Sequence, residues 1–445
     1  MTVPPADLAA AIARGDELRL ATRDANAGRR ANLPLRYWRQ QAHLTAPATD
    51  PVVARKALDG STAPMSKILD KVGVQPADLA ERLEVPIERV EELLAYPERA
   101  PAVMLDGEDA IAPGEAAAAR ALEAAASVFA EEVPKGYGPP PLRFYRPGGL
   151  NLETTVRDLY TLLWRLRNRM AIDDPAQYPL DGIVIPKIEH PDEVDLVNEL
   201  LDRAEAGLRL TPGQIRVAYL IESGWAAVQL PEIASRAAPR LAALIFGAVD
   251  FSADLGLPTV DNWHPVADWA RAQMVAVAGA VGVPALDGMT LDYPVLDPSR
   301  STAVNRVRWL DRMRLCYDDA TRARELGMQG KWVGHPAQLF AVLLAFGAKA
   351  TAEAEASLQA EMAKLEAYDA VVAADKGVAM IAGVMSDRAT SRHAMVVLRK
   401  AAALGRLDPT RALALGVITK EELADVELVY RANRARSTAP GAENP

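Results

Sequence analysis

The sequence predicts an α/β fold, a TIM (β/α)8 barrel with an N-terminal helical extension, an inserted helical hairpin and a C-terminal helical lid. Three observations predict it. About eight apolar runs of strand length alternate with helix-length segments over roughly 300 residues, which is the repeat count of such a barrel. The runs are apolar throughout, as in parallel strands covered on both faces. Two of them, VAYLIE and LAALIFGAVD, each end on a carboxylate, Glu222 and Asp250, with one crossover helix between them. That unit lays its strands side by side and parallel. Neighbouring strands lie about 4.8 Å apart, so the two acids can reach one divalent cation. Helix capping is an equal competitor for such acids. A doubly wound open sheet is the runner-up fold.

Residues 1–40 are rich in Ala and Arg and read as one or two short helices with a packing role. The barrel follows over residues 41–340, opening on the short run AHLTAP. Residues 60–98 interrupt its first unit with an acidic helical hairpin. Within it, Val74 to Leu94 has helix-turn-helix spacing, with Leu79, Leu83, Val85, Val90 and Leu94 as the buried positions. A DNA-reading helix carries Lys and Arg towards phosphates, whereas IERVEELL presents Glu88, Glu91 and Glu92 and only Arg89. The hairpin therefore reads as an insertion and not as a DNA-binding unit.

From Ala102 the runs AVMLD, LRFYR, GIVIPKI, VAYLIE, LAALIFGAVD, PALDGMTL and GKWVGH supply the other strands, separated by helices such as LETTVRDLYTLLWRLRNRM and PDEVDLVNELLDRAEAG. After Gln338 the strands stop. Residues 341–435 form a helical appendage that includes a short β-like piece, and residues 436–445 read as a disordered tail.

Composition narrows the function. A net charge of −9 and a pI near 5.3 argue against nucleic acid or an anionic membrane as the main partner. One cysteine, Cys316, excludes an intrachain disulfide and a thiolate-rich zinc site, and fits a reducing cytoplasm. No apolar run reaches the ~20 residues of a membrane span, and no signal-like segment opens the chain, so a soluble cytoplasmic protein is expected.

Chemistry in this fold collects where strands end. Asp106, Glu108 and Asp109 follow AVML, Arg143 and Arg146 lie in LRFYR, and Lys187 and Glu189 close GIVIPKIE. Glu222, Asp250, Asp292 and His335 end the later runs. Several carboxylates beside two arginines suit a divalent metal and an anionic substrate held together, because hard oxygen ligands select Mg²⁺ or Mn²⁺ and arginine grips carboxylates. Spacing does not separate ligands from caps and salt bridges. His335, in VGHPAQ, is expected to be structural more often than basic.

MLDGEDAIAPGEAAAAR resembles the DLEDAV…K…AR stretch of the citrate lyase β-subunit and malyl-CoA lyase family, within the HpcH/HpaI aldolase group. LRFYR resembles its VRVN strand. DGIVIPKIE, YLIES…FGAVDFSADLG and MQGKWVGHPAQ resemble its later strand motifs in order, over roughly residues 100–340. The resemblance implies Mg²⁺ held by Glu222 and Asp250, and Arg143 as the arginine that binds a 2-oxo acid and polarises its carbonyl. It implies Glu108 and Asp109 as acids holding metal-bound water, with Gly247, Asp109 and Lys187 beside Arg143 in substrate binding. DKGVAMIAGVMSDRATSRHAMVVLRKA is similar to the family's lid, whose aspartate enters the site, often of a neighbouring subunit. Asp387 is the matching residue, and an N-cap is its other reading.

The chain departs from the family pattern at Tyr145 (family Asn), Gly107 (family Leu) and Gly334 (family Ile), and Trp225 brings a large ring close after Glu222. The expected activity is carbon–carbon cleavage or condensation on a 2-hydroxy or 2-oxo acid unit of a malyl-CoA-like or citryl-CoA-like thioester, with Arg143, Asp387 and Glu108 catalytic. Its expected assembly is a homo-oligomer, a trimer or hexamer. A metal-dependent aldolase on free 4-hydroxy-2-oxo acids, and a non-catalytic barrel-derived binding protein, are the alternatives.

Overall fold

A computed structural model describes residues 6–58, 65–95, 100–112, 114–131, 140–150, 154–170, 178–260, 264–347, 352–373, 378–381 and 384–437. The fragment 436–437 of the expected tail belongs to the last helix, and the remainder of that tail lies outside the described residues.

Eight strands close into one parallel barrel in sequence order. They are β1 (Ala42–Pro47), β2 (Ala102–Asp106), β3 (Leu142–Arg146), β4 (Gly182–Ile185), β5 (Arg216–Ile221), β6 (Leu241–Phe246), β7 (Ala285–Asp287) and β8 (Gly330–Val333). Each coincides with an apolar run, AHLTAP included, and β8 pairs back onto β1 through Ala42 with Lys331 and His43 with Trp332. Closure removes every sheet edge, so main-chain polar groups are satisfied in rotation around the barrel. The open-sheet alternative is excluded by the β1–β8 pairing.

The helices follow in chain order. One helix, α1 (Ala6–Gly28), precedes the barrel. Its side chains over residues 8–26 are all exposed, which corrects the packing role expected for it. After β1 come α2 (Pro51–Leu58) and the inserted α3 (Met65–Val72), α4 (Pro76–Leu83) and α5 (Ile87–Ala95). The barrel helices are α6 (Glu115–Phe129), α7 (Thr155–Met170), α8 (Pro191–Leu208), α9 (Gly224–Ala237), the short α10 (Ala248–Asp254), α11 (Pro265–Val281), α12 (Thr302–Glu325) and α13 (Pro336–Phe346).

The insertion buries Leu79, Leu83 and Val90, with Val85 and Leu94 partly buried, on the core beneath α12 and α13. Its charges are used at that seam: Arg82 meets Asp311 at 2.6 Å, Arg306 meets Asp78 at 2.7 Å and Arg314 meets Glu84 at 3.0 Å. Those pairs are solvent-exposed and contribute little. The buried leucines hold the insertion in place.

The C-terminal unit comprises α14 (Ala352–Ala373), the antiparallel pair β9 (Ala379–Ile381) and β10 (Val384–Ser386), α15 (Arg388–Ala403), α16 (Pro409–Ala414) and α17 (Leu423–Ser437). It has its own core, built on Leu398, Ala402, Val426 and Met362, which takes in Leu35 from the 3₁₀ turn Leu35–Arg39. That turn leads into the amino end of β1. Arg39 donates to Ala403 O at 3.0 Å and pairs with Asp425, while Lys400 Nζ lies 5.0 Å from the Trp38 ring centre. The unit is thus docked at the amino-terminal face, the end of the barrel opposite to the one where chemistry collects.

Candidate active site

Carboxylates and cations gather at the carboxyl ends of β2 to β6. Asp106, the last residue of β2, is buried and accepts a two-pronged grip from Arg146, the last residue of β3: Nε to Oδ1 at 2.7 Å and Nη2 to Oδ2 at 2.6 Å. The same carboxylate accepts from the backbone N–H of Glu108 at 2.9 Å and of Ala110 at 3.1 Å, so it also shapes the loop that follows. Arg146 Nη1 lies 3.0 Å from Glu108 Oε2 and 3.4 Å from Asp109 Oδ2. Lys187 Nζ pairs with Glu108 Oε1 and, at 3.4 Å, with Asp109 Oδ1.

Burial raises the Glu108 carboxyl against the opposing pull of Arg146 and Lys187. Burial also acts on Asp109, but there Arg146 and Lys187 win and hold it below the usual carboxylate range. Two adjacent acids thereby have different proton affinities, a pattern suited to acid and base work. Glu108 Oε2 is buried and, although close to Arg146, has no hydrogen bond among the described residues.

Glu222 follows β5 and is 3 % exposed. Its Oε1 accepts the backbone N–H of Lys187 at 2.6 Å, and Lys187 adopts a left-handed φ of 53° to present that N–H. Burial, and then the charge of Asp250, push the Glu222 carboxyl up to about 7. Gly247 makes room for it: a Cβ there would stand 2.5 Å from Glu222 Oε2. Asp250 sits in the first turn of α10, four residues beyond the end of β6. Two mutually repelling carboxylates, one buried, are a hard-oxygen pair that a divalent cation would neutralise. No group of three or more His, Cys, Asp or Glu among the described residues is gathered to hold a metal. A pair is nonetheless sufficient for Mg²⁺, which retains several waters and is bound through one or two carboxylates.

Of the residues expected at the site, Glu108, Asp109, Lys187, Glu222, Gly247 and Asp250 come together. Arg143 does not join them. It is the second residue of β3, where alternate side chains face opposite sides. Arg146 turns into the mouth, and Arg143 turns outward beneath the helices, its Nη1 donating to Phe129 O at 3.4 Å and its N–H to Asp181 Oδ2 at 2.8 Å. Asp181 belongs to the amino end of β4, so Arg143 lies at the wrong end and on the wrong side to meet the acids. Arg146 is the arginine that meets them.

Asp387 is an N-cap in this chain: Oδ1 accepts from Ala389 N at 2.9 Å and Thr390 N at 3.0 Å. The Thr390 N–H bond, foremost, holds it below the usual carboxylate range. The hydrogen bonds of Asp387 among the described residues all stay within the first turn of α15, and none reaches the mouth. His335 is likewise a cap, Nδ1 accepting from Ala337 N at 3.1 Å at the start of α13. Asp292 is exposed and 3.7 Å from Arg312, and Glu189 is exposed.

The departures from the family pattern are paired. A Cβ at Gly107 would overlap the hydroxyl of the buried Tyr145, and one at Gly334 would overlap the hydroxyl of Tyr293. Each glycine admits an aromatic ring. Trp332 adds a third ring at the mouth, with the Arg146 guanidinium 5.1 Å from its centre and its Nε1 bonded to Thr45 Oγ1.

A family model described as "Domain of unknown function (DUF6986)" matches residues 52–430. An L-malyl-CoA/beta-methylmalyl-CoA lyase of Cereibacter sphaeroides is 30% identical over 320 residues, covering 67% of this chain and 86% of its own length. One of Rhodobacter capsulatus is 28% identical over 271 residues, covering 57% of this chain and 77% of its own. Among solved structures, a citrate lyase from Burkholderia xenovorans LB400 is similar in fold, with a TM-score of 0.54 at 21% identity over 84% of this chain and 96% of that one. No helix among the described residues is long and apolar enough to cross a membrane.

Proposed function

The chain belongs to the DUF6986 family, within the citrate lyase β-subunit and malyl-CoA lyase group of carbon–carbon lyases, and from that premise we propose a Mg²⁺-dependent reaction. It cleaves, or in reverse forms, the bond between a 2-hydroxy or 2-oxo acid unit and an acyl-CoA thioester of the malyl-CoA or citryl-CoA kind. The observation that carries this reading is the buried Glu222, held at about 7 opposite Asp250 at the end of two neighbouring strands. Relatives that carry malyl-CoA lyase names support the acyl class.

Glu222 and Asp250 would hold the ion, which supplies a Lewis acid for the acid's carboxylate and adjacent oxygen. Lys187 serves this arrangement twice, fixing Glu222 through its N–H and Glu108 through its ammonium. Arg146, anchored on Asp106, presents fixed positive charge where the reacting oxygen gains charge. Glu108, with a raised carboxyl and an oxygen free of hydrogen bonds among the described residues, takes the proton of the substrate hydroxyl on cleavage. The acyl fragment leaves as an enolate and needs a proton at carbon. Asp387 of a neighbouring subunit in a homo-oligomer relays it, its carboxylate first taking up a proton from solvent, since none of the same chain's Asp387 hydrogen bonds among the described residues reaches the mouth.

The test is a cleavage screen with Mg²⁺ present or chelated, offering malyl-CoA, citramalyl-CoA and hydroxymethylglutaryl-CoA beside free 4-hydroxy-2-oxo acids, and detecting released oxo acid. Metal-dependent cleavage of a CoA ester is expected. Cleavage of the free acids alone would move the protein to the aldolase alternative, and silence across the panel would refute the lyase reading.

A further inference from the structure

Tyr293 lies in the loop between β7 and α12, and that loop is braced on all sides. The Tyr293 carbonyl accepts from Arg312 Nη1 at 2.7 Å and from Val295 N at 2.8 Å. Thr290 Oγ1 donates to the buried Asp319 Oδ2 at 2.7 Å, and Gln338 Nε2 donates to Thr290 O at 2.7 Å while its Oε1 accepts from Gly334 N at 3.1 Å. The ring, 6.3 Å from that of His335, is therefore delivered to one place.

That place is the mouth of the barrel. Trp332 points inward from β8, against Arg146 and Thr45. Gly334, two residues further, is the first residue past the carboxyl end of β8. A Cβ on Gly334 would overlap Tyr293 Oη and stand 2.7 Å from Met289 Sδ. The absence of a side chain at Gly334 is what lets the phenol reach inward.

The hydroxyl is poorly matched with its partner. It donates to Met289 Sδ at 2.8 Å, and a thioether is a weak acceptor. Half-buried polar groups ordinarily find a full partner. Burial also shifts the phenol's ionisation to higher pH, so it remains an O–H donor at neutral pH. A strong donor is thus kept in reserve on the β8 side, with β7 between it and the strand leading to Asp250. A substrate whose acid end lay at Glu222 and Asp250 would reach it by extending its acyl end across β7.

Resting on the lyase reading, the geometry points to the Tyr293 hydroxyl as the hydrogen-bond donor to the acyl carbonyl oxygen of the thioester, admitted to the mouth by Gly334. When the carbon–carbon bond breaks, its electron pair passes into the acyl fragment and charge grows on that oxygen. The substrate hydroxyl becomes the carbonyl of the released oxo acid, and its proton goes to Glu108. Tyr293 keeps its own proton and shares it with the enolate oxygen, a contact that strengthens only as charge develops.

The experiment measures kcat and KM for Mg²⁺-dependent malyl-CoA cleavage by wild type, Tyr293→Phe, Gly334→Ala, the double variant and Met289→Leu, with a melting curve for each. Tyr293→Phe is expected to lower kcat by about 10²-fold, the scale of one lost oxyanion donor, with KM within about threefold and the melting temperature unchanged. Gly334→Ala, by displacing the hydroxyl, is expected to match it, and the double variant to be no worse than either single one. Met289→Leu removes only the resting partner and is expected to keep kcat within about threefold of wild type. Full activity of Tyr293→Phe, or losses that multiply in the double variant, would overturn the assignment. If wild type cleaves no thioester, the lyase reading itself fails and takes this inference with it. If wild type is active, Glu222→Gln dead and Tyr293→Phe unimpaired, only the Tyr293 assignment falls.

Discussion

Replacing Glu222 with glutamine should make the metal-free protein more stable at alkaline pH. A carboxyl moved from 4.5 to about 7 carries a penalty of roughly 3 kcal/mol in the folded state once it is charged. Between those two values the folded chain holds a proton that the unfolded chain has released. Folding stability therefore falls as pH rises, is intact below 4.5 and has lost the whole contribution above about 7. Glu222→Gln keeps an oxygen to accept the Lys187 N–H and abolishes the titration. In urea unfolding followed by tryptophan fluorescence with chelator present, the variant should equal wild type near pH 4 and exceed it by up to about 3 kcal/mol near pH 8. Adding Mg²⁺ near pH 8 should raise wild-type stability and leave the variant unmoved. Parallel stability–pH curves for the two proteins would refute the argument, because titrating groups that do not interact with Glu222 are common to both and cancel in the difference.

Other consequences concern the neighbours of that pair. Arg146→Ala would strand Asp106 as a buried lone charge, expected to cost about 3–5 kcal/mol on denaturation, and Arg146→Lys should reduce kcat at least about tenfold through loss of the two-pronged grip. Arg143→Met should lower stability by about 1–3 kcal/mol and leave kcat within about threefold, since it lies outside the mouth. Gly247→Ala should weaken Mn²⁺ binding roughly tenfold in a calorimetric titration, because the added carbon meets Glu222 and overpacking costs about 1–3 kcal/mol. Co-refolded Glu222→Ala and Asp387→Asn subunits should recover about one quarter of wild-type activity if each site takes its mouth from one copy and its lid from another of a symmetric assembly. No recovery from two inactive parents would exclude the shared site.

All eight strands were legible because parallel strands covered on both faces read as mainly apolar runs, and eight such runs alternate with helices here. The same property hides the phase of a strand. In LRFYR both faces are buried, so nothing in the pattern says which arginine faces the mouth, and the likeness to VRVN favours Arg143. The end of the strand was the better signal: Arg146 is followed directly by Pro147, at the carboxyl edge where barrels keep their functional groups. Glu222 and Asp250 were legible as a pair because a β-α-β crossover fixes their adjacency. For Asp387 the sequence supports both a cap and a lid, and within one chain the cap is what forms. The docking of the later part of α15 at the amino-terminal face depends on a core between Leu398, Ala402 and Leu35, residues too far apart in sequence for periodicity to connect.

Tyr293 illustrates the remaining gap. Taken singly, Gly107 and Gly334 look like losses, since each removes an aliphatic side chain from a packed position and would leave a cavity. In three dimensions each vacancy is filled by a ring from elsewhere, Tyr145 on the adjoining strand and Tyr293 from the preceding loop. The first ring lies beneath the loop that carries Glu108 and Asp109, and so bears on the position of two acids. The second brings a hydroxyl into the mouth itself. Exchanging an aliphatic group for a glycine and a phenol changes the chemistry of the wall while leaving its volume nearly constant. Such an exchange alters which substrate oxygen can be held without disturbing the carboxylates at β5 and β6. The two glycine–tyrosine pairs are thus where this chain's specificity is expected to differ from that of relatives with an aliphatic side chain at those positions.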